Sequence, residues 1–162
     1  MSFTNQALGT LGSVAAVSAM SQSVSEQKKA NAAKNAEDKQ IVDTTKTAIE
    51  NDQIEAQQAI LAHAKDEGLT DEQVNKLKAD PSYAQELRET TLKENRINRL
   101  KEAGEKYDKY HNNPIDRIYK TGDQLNKAYE SFRELNQRIE ASRQLKFNLE
   151  AAQARLKARG VK

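Results

Sequence analysis

The sequence predicts an all-α protein of elongated helices closing in a C-terminal antiparallel, coiled-coil-like helical hairpin, and three observations carry that expectation. Charged residues make up 31% of the 162 residues and hydrophobic ones only 36%, with aromatics at 5% and no Trp. Two prolines and six glycines leave long stretches of Ala, Gln, Lys and Glu uninterrupted, and these residues keep most of their rotamer freedom in a helix. Val and Ile nowhere form the alternating runs that a half-buried strand requires. The apolar residues are strung along the chain, which suits long helices that each bury a narrow stripe better than one dense core.

Residues 1–25 carry no charge and are rich in Gly, Ala, Ser and Thr. A secretory signal places basic residues before its apolar stretch, whereas here Lys28 and Lys29 follow it. The apolar part, residues 7–20, is shorter than the roughly 20 residues that a helix needs to cross a bilayer. Small residues four apart, Gly12 with Ala16 and Ala15 with Ala19, suit close helix approach in an apolar setting. The segment is expected to be a tail, either flexible or ordered by a partner, and its apolar part is the place for any membrane contact.

Residues 26–67 read as a long hydrophilic helix. Its seam positions, Val42, Thr45, Ile49, Ala56, Ala59 and His63, are mostly small or polar, so the helix needs a partner to be stable. Gly68 ends it. A short helix over 69–79 follows, opened by Thr70 as cap for Gln73 in a capping box, with Leu69 and Val74 as the hydrophobic staple. Asp80-Pro81 opens the hairpin, residues 80–162, with Asp80 as N-cap and Pro81 where a missing N–H costs nothing. Its first arm carries Ile97, Leu100, Gly104, Tyr107 and His111 at three- and four-residue spacing. The break falls at Asn112-Asn113-Pro114. The second arm, to about Arg159, carries Ile115, Ile118, Leu125, Tyr129, Phe132, Leu135 and Ile139. Leu145, Leu149, Ala152 and Leu156 then sit on a face rotated by roughly a quarter turn. Four or five helices are expected, and Tyr107, Tyr110, Tyr119, Tyr129 and Phe132 are expected near the turn as core.

The same residues argue against catalysis. With no Cys there is no disulfide, thiolate nucleophile or thiolate metal site. His63 and His111 are the only histidines, and without Cys they cannot supply the four ligands of a structural zinc site. No nucleotide-binding glycine loop and no Ser-His-acid arrangement is present. Carboxylates interleave with Lys and Arg as on solvated helix faces. No enzyme activity, cofactor or metal is therefore expected. The net charge of +2 is too mild to imply nucleic acid. Locally, though, Arg143, Lys146, Arg155, Lys157, Arg159 and Lys162 face only Glu150. Such a basic helical end suits phosphate backbones or anionic headgroups, or simply a favourable interaction with the helix dipole.

The uncharged opening LGTLGSVAAVSAMS, the switch at Ser25-Glu26-Gln27-Lys28-Lys29-Ala30 into an Ala/Gln/Lys helix, and the basic end Ala154-Arg155-Leu156-Lys157-Ala158-Arg159 together resemble small helical phage virion proteins: pilot, internal ejection or portal-associated structural proteins. That resemblance implies a multi-copy virion component at the genome-delivery conduit or capsid interior. It also implies an apolar N-terminus that meets a membrane and basic helices that meet DNA. The segment 7–20 is more polar than a dedicated membrane inserter. The alternative is a bacterial coiled-coil adaptor or secretion-apparatus subunit, a translocator or filament protein in the cytoplasm or the secretion apparatus. In both readings the partners are other protein subunits, as a homo-oligomer or in a larger particle.

Overall fold

The computed structural model describes residues 7–110 and 115–161, with side chains from residue 23 onward except those of Tyr110 and Asp116. The described residues are helical or in turns, with no strand, and the fold is all-α. The elements are α1 (Ala7–Ala62), α2 (Asp71–Ala79), α3 (Tyr83–Leu87), a π-helical turn (Arg88–Leu92), α4 (Lys93–Tyr110) and α5 (Ile115–Ala158). The uncharged opening segment, expected as a tail, is helical from Ala7 on. Its alanines and lack of proline favour that state over coil.

The chain divides into two units, residues 44–150 and residues 1–43 with 151–162. In the larger unit α1, α3 to α4, and α5 surround one core. It is built from Ala56 and Ile60 of α1, Leu77 of α2, Ala84, Leu87 and Leu92 of the α3–α4 run, and Leu135 and Ile139 of α5. Asp52 meets Arg88, and farther along Glu67 meets Arg96, so α1 and the α3–α4 run are parallel. Glu89 lies 3.7 Å from Arg143, while Ala103 and Lys106 share a groove with Gln124 and Ala128. The α3–α4 run and α5 are thus antiparallel neighbours, as the sequence leads one to expect. The turn expected at residues 111–114 lies outside the described residues.

The capping box and the glycine turn read from the sequence are present, whereas α1 ends at Ala62 rather than at residue 67. Likewise α3 begins at Tyr83 after Ser82 rather than at Pro81 after an Asp80 cap, with Asp80 closing α2 instead. Regular helix gives out at Ala62 and turns continue to Gly68 (φ +72°), where Leu69 N–H donates to Ala64 O and Gly68 N–H to Lys65 O. This is a left-handed glycine cap, which satisfies carbonyls that a helix end leaves orphaned. Thr70 Oγ1 accepts from Gln73 N–H (3.3 Å), and Gln73 Oε1 accepts from Thr70 N–H (3.0 Å), forming the capping box. Asp80 Oδ1 accepts from Ser82 N–H at 2.8 Å.

The π turn was not foreseen. Thr90 Oγ1 donates to Glu86 O at 2.7 Å, so a hydroxyl competes for a carbonyl of the α ladder. In a regular α-helix Leu87 and Leu92 would point about 140° apart. The i to i+5 pairing of a π turn lets both face inward, and they are 0% and 4% exposed.

In the smaller unit Val42 and Ala152 are buried, and Asp38, itself buried, joins α1 to α5 through Arg155 and Arg159.

Candidate interaction surfaces

α5 has two faces of opposite character. Thr121, Leu135, Ile139 and Ser142 turn inward and are at most 9% exposed. Ile115, Tyr119, Tyr129 and Phe147 are 69, 74, 60 and 65% exposed, and their spacing places them within an arc of about 80° on the other side. Between the last two, Phe132, Arg133, Asn136, Gln137 and Glu140 join Tyr129 around a groove of about 450 Å³, lined by α5 alone.

Of the residues expected to pack, Leu135 and Ile139 are buried. Ile97, Leu100, Ile118, Leu125, Phe132, Leu145, Leu149 and Leu156 are half-buried, while Tyr107 and Tyr129 are exposed. The aromatics expected as core thus stand largely in solvent: Tyr107, Tyr119 and Tyr129 are exposed, and Tyr110 lies outside the described side chains. Thr121 and Ser142 share the inward side of α5 with Leu135 and Ile139, and the periodicity of the helix places Tyr119 and Tyr129 on the opposite side.

The seam of α1 behaves similarly. Val42, Thr45 and Ala56 are buried and Ile49 is half-buried, but Ala59 and His63 are exposed and Ile60 takes the inward place. Sequence reading missed the two acids of this seam. Asp38, Thr45 and Asp52 recur every seven residues on the side that packs, a spacing that a search restricted to apolar residues does not find.

Both acids are matched by arginine. Arg88 Nη1 donates to Asp52 Oδ2 (3.0 Å), and Ser142 Oγ donates to the same oxygen (2.7 Å). The Arg88 side chain is 5% exposed and that of Asp52 27%, so removing the carboxylate leaves the guanidinium in a poor solvent. Arg155 Nε donates to Asp38 Oδ1 (2.8 Å), and Arg159 Nη1 donates to Asp38 Oδ2 (2.7 Å) and Asn35 Oδ1 (3.2 Å). These bonds, led by that from Arg155, hold the Asp38 carboxyl below its ordinary value of 3.8.

The basic end is accordingly split. Arg155 and Arg159 are held by Asp38, and Arg143 bonds Glu140 at 3.0 Å with Glu89 nearby. Lys146 and Lys157 are exposed and make no ion pair among the described residues, and Lys162 lies outside them.

A cavity of about 360 Å³ lies between α1, the start of α4 and α5, floored by Ile60, Leu92 and Leu135 and edged by Glu67, Arg96 and Arg138. Arg96 pairs with Glu67, yet Glu67 Oε2 and Arg96 Nε are buried without a hydrogen-bond partner. His63 lies 3.8 Å from Asp66, and no group of three or more His, Asp or Glu among the described residues is placed to hold a metal. No helix of the described residues is long and apolar enough to cross a membrane. The side chains of residues 7–20, where membrane contact is expected, lie outside the described set.

No family model, curated protein or solved structure matches this chain.

Proposed function

We propose that the chain is a non-enzymatic structural protein that works by packing its helices against other subunits, as a multi-copy phage virion component at the genome-delivery conduit or capsid interior. The observation that carries the assembly role is the outward face of α5, where four large apolar side chains are each at least 60% exposed. Large apolar groups arrayed along one face commonly mark a protein contact. The virion setting draws on the resemblance of the uncharged opening and the basic helical end. Among the described residues there, Lys146 and Lys157 are exposed cations outside ion pairs, suited to phosphate contact.

Mass spectrometry of purified phage particles from the source culture tests the reading. Peptides of this chain at several copies per particle are the expected result. Recovery only in a bacterial secretion complex would favour the adaptor or translocator reading, and turnover of a substrate by the purified chain would overturn both.

A further inference from the structure

The outward face of α5 also carries a pair of opposite charges. Arg133 and Glu140 are both exposed and lie seven residues apart, two turns along one side of the helix. Arg133 forms no ion pair among the described residues. Glu140 gives Oε1 to Arg143, which leaves Oε2 available. A two-fold axis perpendicular to the helix and midway between them exchanges the two positions. Arg133 of each copy then faces Glu140 of the other, twice over.

We propose that α5 between Asn126 and Phe147 is a homodimer surface on which a second copy of this chain packs antiparallel, with the axis between Asn136 and Gln137. Naming a second copy as the partner rests on the assembly role proposed above.

The same axis sets Asn136 beside Asn136 and Gln137 beside Gln137 of the second copy, amides that each offer both donor and acceptor. Tyr129 falls beside Gln144, within one turn of Phe147 of the second copy. Two rings that are 60 and 65% exposed in the single chain are thereby covered at each end of the contact. A parallel pairing would set Arg133 on Arg133 and Glu140 on Glu140, and like charges face to face are disfavoured. The contact is isologous and closes on itself, so it yields a dimer and no open filament.

Charge reversal tests both surface and symmetry, read by light scattering and sedimentation across a wide concentration range. The intact chain is expected to dimerise, and Arg133→Glu or Glu140→Arg alone to weaken self-association more than about tenfold. An equimolar mixture of the two variants is expected to restore dimers, because each contact then joins opposite charges. Both positions are exposed, so circular dichroism of each variant should match the intact chain.

Direction is read by disulfide cross-linking, which is clean because the chain has no Cys. Gln137→Cys is expected to link to itself. Phe147→Cys is expected to link to Asn126→Cys and not to itself, since copies of one end lie about 30 Å apart. A chain that stays monomeric, or dimers indifferent to both reversals, would overturn the α5 surface. Self-linking of Phe147→Cys would overturn the antiparallel arrangement. None of these outcomes bears on recovery of the chain in particles, which tests the assembly role separately.

Discussion

Gly68 sits at φ +72°, and a Cβ there would meet Asn95 Nδ2 at an ordinary 3.5 Å, so the backbone angle rather than crowding demands glycine. Gly68→Ala should destabilise the larger unit by about 1–2 kcal/mol, measured as a lowered urea midpoint with unchanged slope. An unchanged midpoint would show that the turn relaxes at no cost. Asn95 Nδ2 also donates to Glu67 O at 2.6 Å, tying the start of α4 to the end of this turn. Asp52 is governed by electrostatics instead. Asp52→Ala leaves Arg88, whose side chain is 5% exposed, without its carboxylate, a loss of roughly 3–5 kcal/mol for a buried pair broken on one side. Replacing Arg88 and Asp52 together by apolar residues of similar size should cost far less than the sum of the single changes. A double-mutant cycle checks this, and additive losses would mean that the two charges do not depend on one another.

At the scale of the helix, the inward and outward sides of α5 give opposite expectations for changes of similar chemistry. Leu135→Ala empties space in a core where Leu135 is 9% exposed and should cost about 2–5 kcal/mol. Tyr119→Ala removes a side chain that is 74% exposed and should stay within about 0.5 kcal/mol. Comparable losses for both would show that Tyr119 packs against something. What the sequence made legible were the features written in neighbouring residues. Thr70 with Gln73 spelled out the capping box, Gly68 the left-handed end, and the scarcity of proline and glycine along stretches of Ala, Gln, Lys and Glu the all-α class. The antiparallel hairpin followed from the short break before Pro114. The outward turn of Tyr129 and Tyr119 could not be read in the same way, because a periodic stripe shows that a helix has a face without showing which face meets the neighbour. On α5 the inward side includes Thr121 and Ser142 beside Leu135 and Ile139, and their hydroxyls look like surface residues to any hydrophobicity count. The π turn was hidden for a related reason: it depends on how Leu87 and Leu92 are both accommodated in a core that only the folded helices define. Asp38 and Asp52 were present in the heptad spacing but concealed by their charge.

For the molecule as a whole, hydrogen bonds and ion pairs to ionisable side chains, one buried and two exposed, make stability depend on pH in a definite direction. The Asp38 carboxyl is held below its ordinary value by its hydrogen bond from Arg155, with the charges of both arginines adding. Asp80 is lowered by its bonds with Ser82. A carboxylate whose proton affinity is lower in the folded state binds fewer protons there than in the unfolded chain. Its stabilising contribution is therefore complete above the ordinary value of 3.8 and is lost as pH falls through the lowered folded value. Lys127 runs the other way. Asp123 at 2.7 Å raises it, so its contribution persists below 10.5 and disappears as pH rises through the raised value. Because the Lys127 side chain is 72% exposed, solvent screens that pair and the alkaline limb should be shallow. The acid limb is the one to measure. Thermal unfolding of the intact chain and of Asp38→Asn, followed by circular dichroism from neutral pH downward, should give a lower Tm for the variant at neutral pH. The two curves should approach one another once Asp38 is protonated in the intact chain. Parallel curves over the whole range would mean that Asp38 contributes nothing to the acid limb, and that Arg155 and Arg159 hold α1 to α5 by shape rather than by charge.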